Sequence, residues 1–184
     1  MAHFHTVTEQ FIPRFEAYQL LTWLGHLFEY PWEETSKKSR MTTEAVFETE
    51  LNQNIEIPPL KQRQEEYTQL FISHIPHMLA PPYEVFYADK GRDVLGSLYR
   101  WYSLFSFIYA RERADHIVAE LQFTALLSKG RKWKMAYDFV EEHLYQWIIP
   151  FTEKMMQNAN TRYYPSMGKL AAHLIERIRR AELL

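Results

Sequence analysis

Apolar residues recur at spacings of three and four along most of this chain, and that period restricts it to helices. From Phe15 to Tyr30 the set Phe15, Tyr18, Leu21, Leu24 and Phe28, widened by Leu20, Trp23 and Leu27, forms one broad stripe. Strict alternation is short wherever it occurs, and only five glycines interrupt the pattern. Pro31 stops the first helix, since proline lacks the backbone donor and clashes with the preceding turn.

The same period places the remaining elements. Residues 32–41 read as a polar loop or short helix, and Thr42 or Thr43 as the cap of a helix carrying Val46, Phe47 and Leu51. Leu60 to Phe71 is charged on one side and shows Tyr67, Leu70 and Phe71 on the other. Asp93 to Tyr109 is the longest apolar helix; being apolar nearly all round, it is predicted to be central. A helix from Asp115 runs to about Leu127, and Gly130 separates it from one through Trp133, Val140 and Trp147. Pro150 predicts a break or kink, and a final helix starts at Ser166. About eight helical stretches with short connections predict an all-α protein, a single irregular bundle over residues 1–184.

Composition removes several functions. With 47% hydrophobic and 16% aromatic residues in 184, the chain is long enough to bury one large core. A net charge of −2 with both signs interspersed argues against nucleic acid, and the Lys129–Lys134 and Arg177–Arg180 clusters read as solvated turns. The absence of cysteine removes disulfides and thiolate chemistry. No stretch reaches the roughly 18 apolar residues that span a bilayer, and Met1–His5 lacks the features of a secretory signal. The expectation is a cytoplasmic protein without membrane insertion. The chain has no Gly-x-Ser-x-Gly elbow, Walker loop or dinucleotide glycine pattern, so no catalytic residues are expected.

Two segments exceed what a plain bundle requires. Asp115-His116 stands where a charged turn meets an apolar run, a place where helix starts favour an acid on their free N–H groups. Locally this reads as a cap acid beside a helix-start histidine. His116 and Glu120 also lie four apart on one face, and with His74 or His77 they would give a small helical metalloenzyme. Metal sites need three or four ligands, and Pro76 breaks the regular spacing of the two upstream histidines, so no metal is expected. The second segment, Ile75 to Tyr87, sets Met78, Leu79, Tyr83, Phe86 and Tyr87 among prolines with few charges. It reads either as a core plug or as the edge of a preformed apolar groove for peptides.

Together the two segments resemble a known family. Tyr67-x-x-Leu70-Phe71, then Pro81-Pro82-Tyr83-Glu84-Val85-x-Tyr87, then Asp115-His116-Ile117-x-x-Glu120-Leu121-x-Phe123 is similar to the TorD/DmsD/NarJ redox-enzyme maturation chaperones. His143-Leu144-x-x-Trp147 resembles that family's later His-Leu-x-x-Trp element. The resemblance covers about residues 15–150. It implies a TorD-like helical chaperone, monomer or homodimer, without a cofactor of its own. Such a protein binds the twin-arginine leader or precursor of a molybdopterin oxidoreductase catalytic subunit and assists cofactor insertion before export or membrane attachment.

Carried over by position, the resemblance implies that Tyr67, Leu70, Phe71, Tyr83, Tyr87, Asp115 and His116 line or support the leader site. Asp115, Glu84 and Glu120 are of a type to accept from arginines, and His116 to tune the site near neutral pH. Asp115→Ala is then expected to weaken client binding more than the fold. The family's glycine ending the long helix appears as Ser106 and its proline before Asp-His as Ala114, which implies a stiffer hinge between two sub-halves meeting near 110–115. The other reading carried forward is a general helical peptide-binding adaptor.

Overall fold

The computed structural model describes residues 16–33, 37–72, 78–109 and 113–180. Phe15, His74, Ile75, Pro76, His77, Arg111 and Glu112 lie outside the described residues. Within them are eight α-helices: α1 (Ala17–Leu27), α2 (Lys37–Leu51), α3 (Leu60–Tyr67), α4 (Val94–Leu104), α5 (Ile117–Lys129), α6 (Trp133–Glu142), α7 (Leu144–Asn158) and α8 (Tyr163–Arg179). A π-helical turn, Thr68–Ile72, extends α3, and a 3-10 turn spans Glu84–Phe86. The described residues contain no strand, only an isolated bridge between Tyr83 and His116. The all-α bundle expected from the periodicity is therefore present.

Helix α5 occupies the centre, with ten of its thirteen residues buried. The most extensive packing is of α1 on α5 and of α7 on α8. Gly168 permits the second approach: a Cβ there would meet Thr152 Oγ1 at 2.8 Å and Met155 Cε at 2.5 Å. Phe123 of α5 gathers Tyr102, Phe107 and Phe139 at centroid distances of 4.9, 5.3 and 4.7 Å. A second aromatic group joins Tyr67, Phe71, Phe151 and Tyr164. Aromatic rings supply large apolar areas and edge-to-face geometry, so two such groups fix the relative placement of several helices.

Several boundaries differ from those expected. Helix α2 begins at Lys37, before either threonine, because Arg40 and Met41 are good helix formers and extend it by a polar turn. The Asp93 helix ends at Leu104; Ser106 turns the backbone into the left-handed region at φ +52°, leaving Leu104 and Ile108 76% and 94% exposed. It is thus one-sided, and the central position belongs to α5. Pro150 lies inside α7 without ending it, and the break falls at His143, whose φ and ψ of −119° and −87° separate α6 from α7. Helix α8 starts at Tyr163, three residues early, with Pro165 in its first turn, where a missing N–H costs nothing. No described helix is long and apolar enough to cross a membrane.

Candidate functional site

The loop from Ala80 to Tyr87 is fastened to the start of α5 by main-chain bonds. Ile117 N–H donates to Pro82 O at 3.0 Å and Glu84 N–H to Asp115 O at 2.9 Å, flanking the Tyr83–His116 bridge. The prolines suit this extended path because they fix φ and cannot continue a helix. Asp115, expected as the cap, instead accepts from the Val85 N–H at 3.3 Å. The cap of α5 is His116, whose Nδ1 accepts from Val118 N–H at 3.2 Å. Burial, with Arg113 adding to it, pulls the His116 pKa down to about 3, so the ring is neutral in the physiological range and does not tune the site there.

Behind this loop lies a buried polar cluster. Glu84 Oε2 is 2.7 Å from His143 Nδ1, and its Oε1 is 2.9 Å from the Arg92 guanidinium. Glu120 accepts from Trp147 Nε1 at 3.1 Å. Burial, reinforced by the nearby Glu84 charge, raises the Glu120 pKa well above the ordinary carboxyl range and favours its protonated form. Burial also raises that of Asp115, against the Val85 hydrogen bond that lowers it. The His143 break in the helix is explained here, since it delivers the imidazole to Glu84.

Ser97, His143 and Glu84 stand in the order of nucleophile, base and orienting acid, at 3.1 and 2.7 Å. The Ser97 hydroxyl, however, donates to Glu142, which also accepts from Trp101 Nε1 at 2.9 Å. Ser97 is 6% exposed and His143 and Glu84 are fully buried, as suits a structural clamp joining α4, α7 and the 3-10 turn. Among the described residues no group of three His, Asp or Glu side chains is placed to hold a metal.

In front of the loop opens a groove of about 560 Å³. Tyr67, Phe71 and Ile72 from α3 and its π turn line it, with Pro82, Tyr83, Arg113 and His116 on one wall and Glu29, Tyr30 and Trp32 on another. Its rings form a continuous chain: Trp32 to Tyr30 at 4.6 Å, Tyr30 to Tyr67 at 5.3 Å and Tyr67 to Phe71 at 4.9 Å. Tyr83 packs edge-on against His116 at 5.0 Å. The Tyr67 hydroxyl donates to Phe28 O at 3.2 Å, and burial pushes its pKa up to about 12. A rigid aromatic surface of this kind loses little entropy when a peptide settles on it.

Of the nine residues singled out from the sequence, Tyr67, Phe71, Tyr83 and His116 line this groove together. Leu70, Glu84, Asp115 and Glu120 are buried and support it from behind. Tyr87 faces away, stacked on Trp147 at 5.6 Å, and burial raises its pKa. Glu29, Tyr30, Trp32, Ile72 and Arg113 were not singled out. Trp32 carried the one available signal, a large aromatic between Pro31 and Glu33-Glu34 with no apolar period to bury it.

The nitrate reductase delta subunit family model matches residues 40–153. The chain is similar to the chaperone protein TorD of Histophilus somni, 25% identical over 68 residues that cover 36% of this chain and 35% of that one. It is also similar to the selenate reductase assembly chaperone protein of Thauera selenatis, 33% identical over 100 residues, 45% of this chain and 52% of the relative. The matches thus span about a third and about half the length of these curated relatives. The crystal structure of a candidate redox enzyme maturation protein from Archaeoglobus fulgidus shares the fold, with a TM-score of 0.59, 20% identity, and 91% of this chain and 99% of that one covered.

Proposed function

Because the chain belongs to the nitrate reductase delta subunit family, that of the TorD/DmsD/NarJ redox-enzyme maturation chaperones, we propose that it is a chaperone of molybdoenzyme assembly. In this reading it binds the twin-arginine leader or the precursor of a molybdopterin oxidoreductase catalytic subunit while the cofactor is inserted. It acts in the cytoplasm as a monomer or homodimer, one structural unit over residues 1–184, and performs no turnover of its own.

The observation that carries the reading is the aromatic groove, because four residues from three separate motifs line one cavity. Among its lining residues Phe71, Ile72 and Pro82 offer apolar surface, and Arg113 and Glu29 offer charge of both signs. That combination suits a segment with an apolar stretch and charged flanks. The names of the two curated relatives, one a TorD chaperone and one a selenate reductase assembly chaperone, support the same client class.

Calorimetry of the full chain with twin-arginine leader peptides, beside Arg-Arg→Lys-Lys controls and the precursor of a reductase encoded next to it, tests the proposal. Saturable binding that weakens in the controls is expected. Binding to no leader and to no precursor overturns it. Equal binding to unrelated apolar peptides returns the general adaptor.

A further inference from the structure

The acids first offered by the sequence for an incoming arginine are Glu84, Asp115 and Glu120, and none of them lines the groove. Glu84 is occupied by Arg92 and His143, Asp115 by the Val85 N–H, and Glu120 by Trp147. The acid that does line the groove is Glu29, at the end of α1. Its partner among the described residues is His26 Nδ1 at 3.4 Å, with side chains 45% and 60% exposed. A contact so exposed holds its members weakly, so the Glu29 carboxylate is available to another cation.

Two aromatic residues follow it on the same wall. Tyr30 and Trp32 meet at 4.6 Å with their planes inclined by 57°, a corner closed beneath by the edge contact of Tyr30 with Tyr67. Trp32 is 78% exposed, an unusual state for the largest side chain, and among the described residues Tyr30 is the ring it packs against. Trp is the strongest cation–π partner, and a planar guanidinium stacks on it while donating in the same plane to a carboxylate. Pro31 fixes the backbone between the two rings, so the corner is built before any occupant arrives.

Resting on the proposed reading of the groove, we infer that Glu29, Tyr30 and Trp32 form a guanidinium subsite for one arginine of the client peptide. The apolar residues that follow this arginine lie along Ile72, Phe71 and Tyr83. Arg113, which also lines the groove and stands 5.9 Å from the Tyr109 ring centroid, repels a cation from its own surroundings. It therefore orients the peptide and leaves its own donors to a main-chain carbonyl.

Calorimetry tests this with one twin-arginine leader peptide and its citrulline versions, in which each guanidinium in turn becomes a neutral urea of the same shape. The wild-type chain is expected to lose about tenfold in affinity for one citrulline peptide, the range of a charged hydrogen bond. Glu29→Gln and Trp32→Ala should lose a similar factor for the arginine peptide and show no further loss with citrulline. Ile72→Asp, at a half-exposed position, is the control that blocks the groove itself. If Ile72→Asp abolishes binding while Glu29→Gln, Trp32→Ala and citrulline leave it unchanged, the subsite is overturned and the groove stands. If the wild-type chain binds no leader peptide, the subsite is overturned; if it binds one and Ile72→Asp binds it unchanged, the reading of the groove falls and the subsite with it.

Discussion

The carboxylate of Glu84 lies 2.7 Å from Nδ1 of His143, and neither side chain has any surface in contact with solvent. The pair joins the 3-10 turn that follows Tyr83 to the junction of α6 and α7, so it fixes one wall of the groove from behind. Removing one member of a buried pair leaves the other charged or polar group without compensation. Glu84→Ala is expected to cost about 3 kcal/mol or more, and Glu84→Gln distinctly less, because the amide still accepts from the imidazole. Urea denaturation of the two variants checks the difference.

Asp115→Ala removes the acceptor of the Val85 N–H and is expected to cost about 1 kcal/mol. Since Asp115 is 4% exposed and behind the groove, its effect on peptide affinity passes through the Tyr83–Val85 segment. Stability and binding should therefore fall together, rather than binding more than the fold as the sequence alone implied, measured by urea melts and calorimetry on one preparation.

His116 and Glu120 give opposite pH dependences. The His116 pKa is depressed to about 3 in the folded chain, whereas the unfolded ring titrates near 6.5. Protons then favour the unfolded state below that value, so the stability contributed by His116 is complete above about pH 6.5 and is lost as pH falls toward 3. The loss approaches about 1.4 kcal/mol per pH unit within the window. His116→Asn keeps a capping oxygen and should remove this acid sensitivity in urea melts between pH 4 and 7.

Glu120 has a raised pKa, so its contribution is complete below the unfolded carboxyl value, about 4.3, and is lost as pH rises through its folded value. Glu120→Gln keeps an oxygen for Trp147 Nε1 and carries no charge. The urea midpoint of the variant should match the wild type near pH 4 and exceed it as the pH rises toward the folded value.

Ser106 occupies a left-handed backbone conformation that costs a side-chain-bearing residue roughly 1 kcal/mol. Ser106→Gly is expected to raise stability by about 0.5 kcal/mol, after the larger chain entropy of glycine in the unfolded state is subtracted. Thermal melts by circular dichroism measure it. The sequence implied a stiffened hinge at this position, and the backbone shape expected of a glycine is nonetheless present.

Periodicity was sufficient for the bundle because most of its helices carry an apolar face and burial follows that face directly; α3 is the exception, burying Arg63 and Glu66 beside Tyr67. It failed where a single tertiary contact decided the outcome. Pro150 reads as a break, yet the break is at His143, since its imidazole must reach Glu84, which lies 59 positions earlier in the chain. Asp115 reads as a cap because acids favour helix starts; the loop at Val85 takes it instead, and His116 caps in its place. Motif spacing gathered Tyr67, Phe71, Tyr83 and His116, but it passed over Glu29 and Trp32, which no period connects to the rest. Polar residues leave a weaker trace in sequence than apolar ones, because their partners are set by the assembled fold.

The cap made by His116 fixes more than the start of a helix. A neutral imidazole that accepts at Nδ1 must carry its hydrogen on Nε2, so one tautomer is selected by the Val118 N–H alone. The ring that lines the groove is thereby a donor at its other nitrogen, whatever the pH between about 4 and 8. A carbonyl oxygen is the group complementary to that nitrogen, and an amide N–H is not.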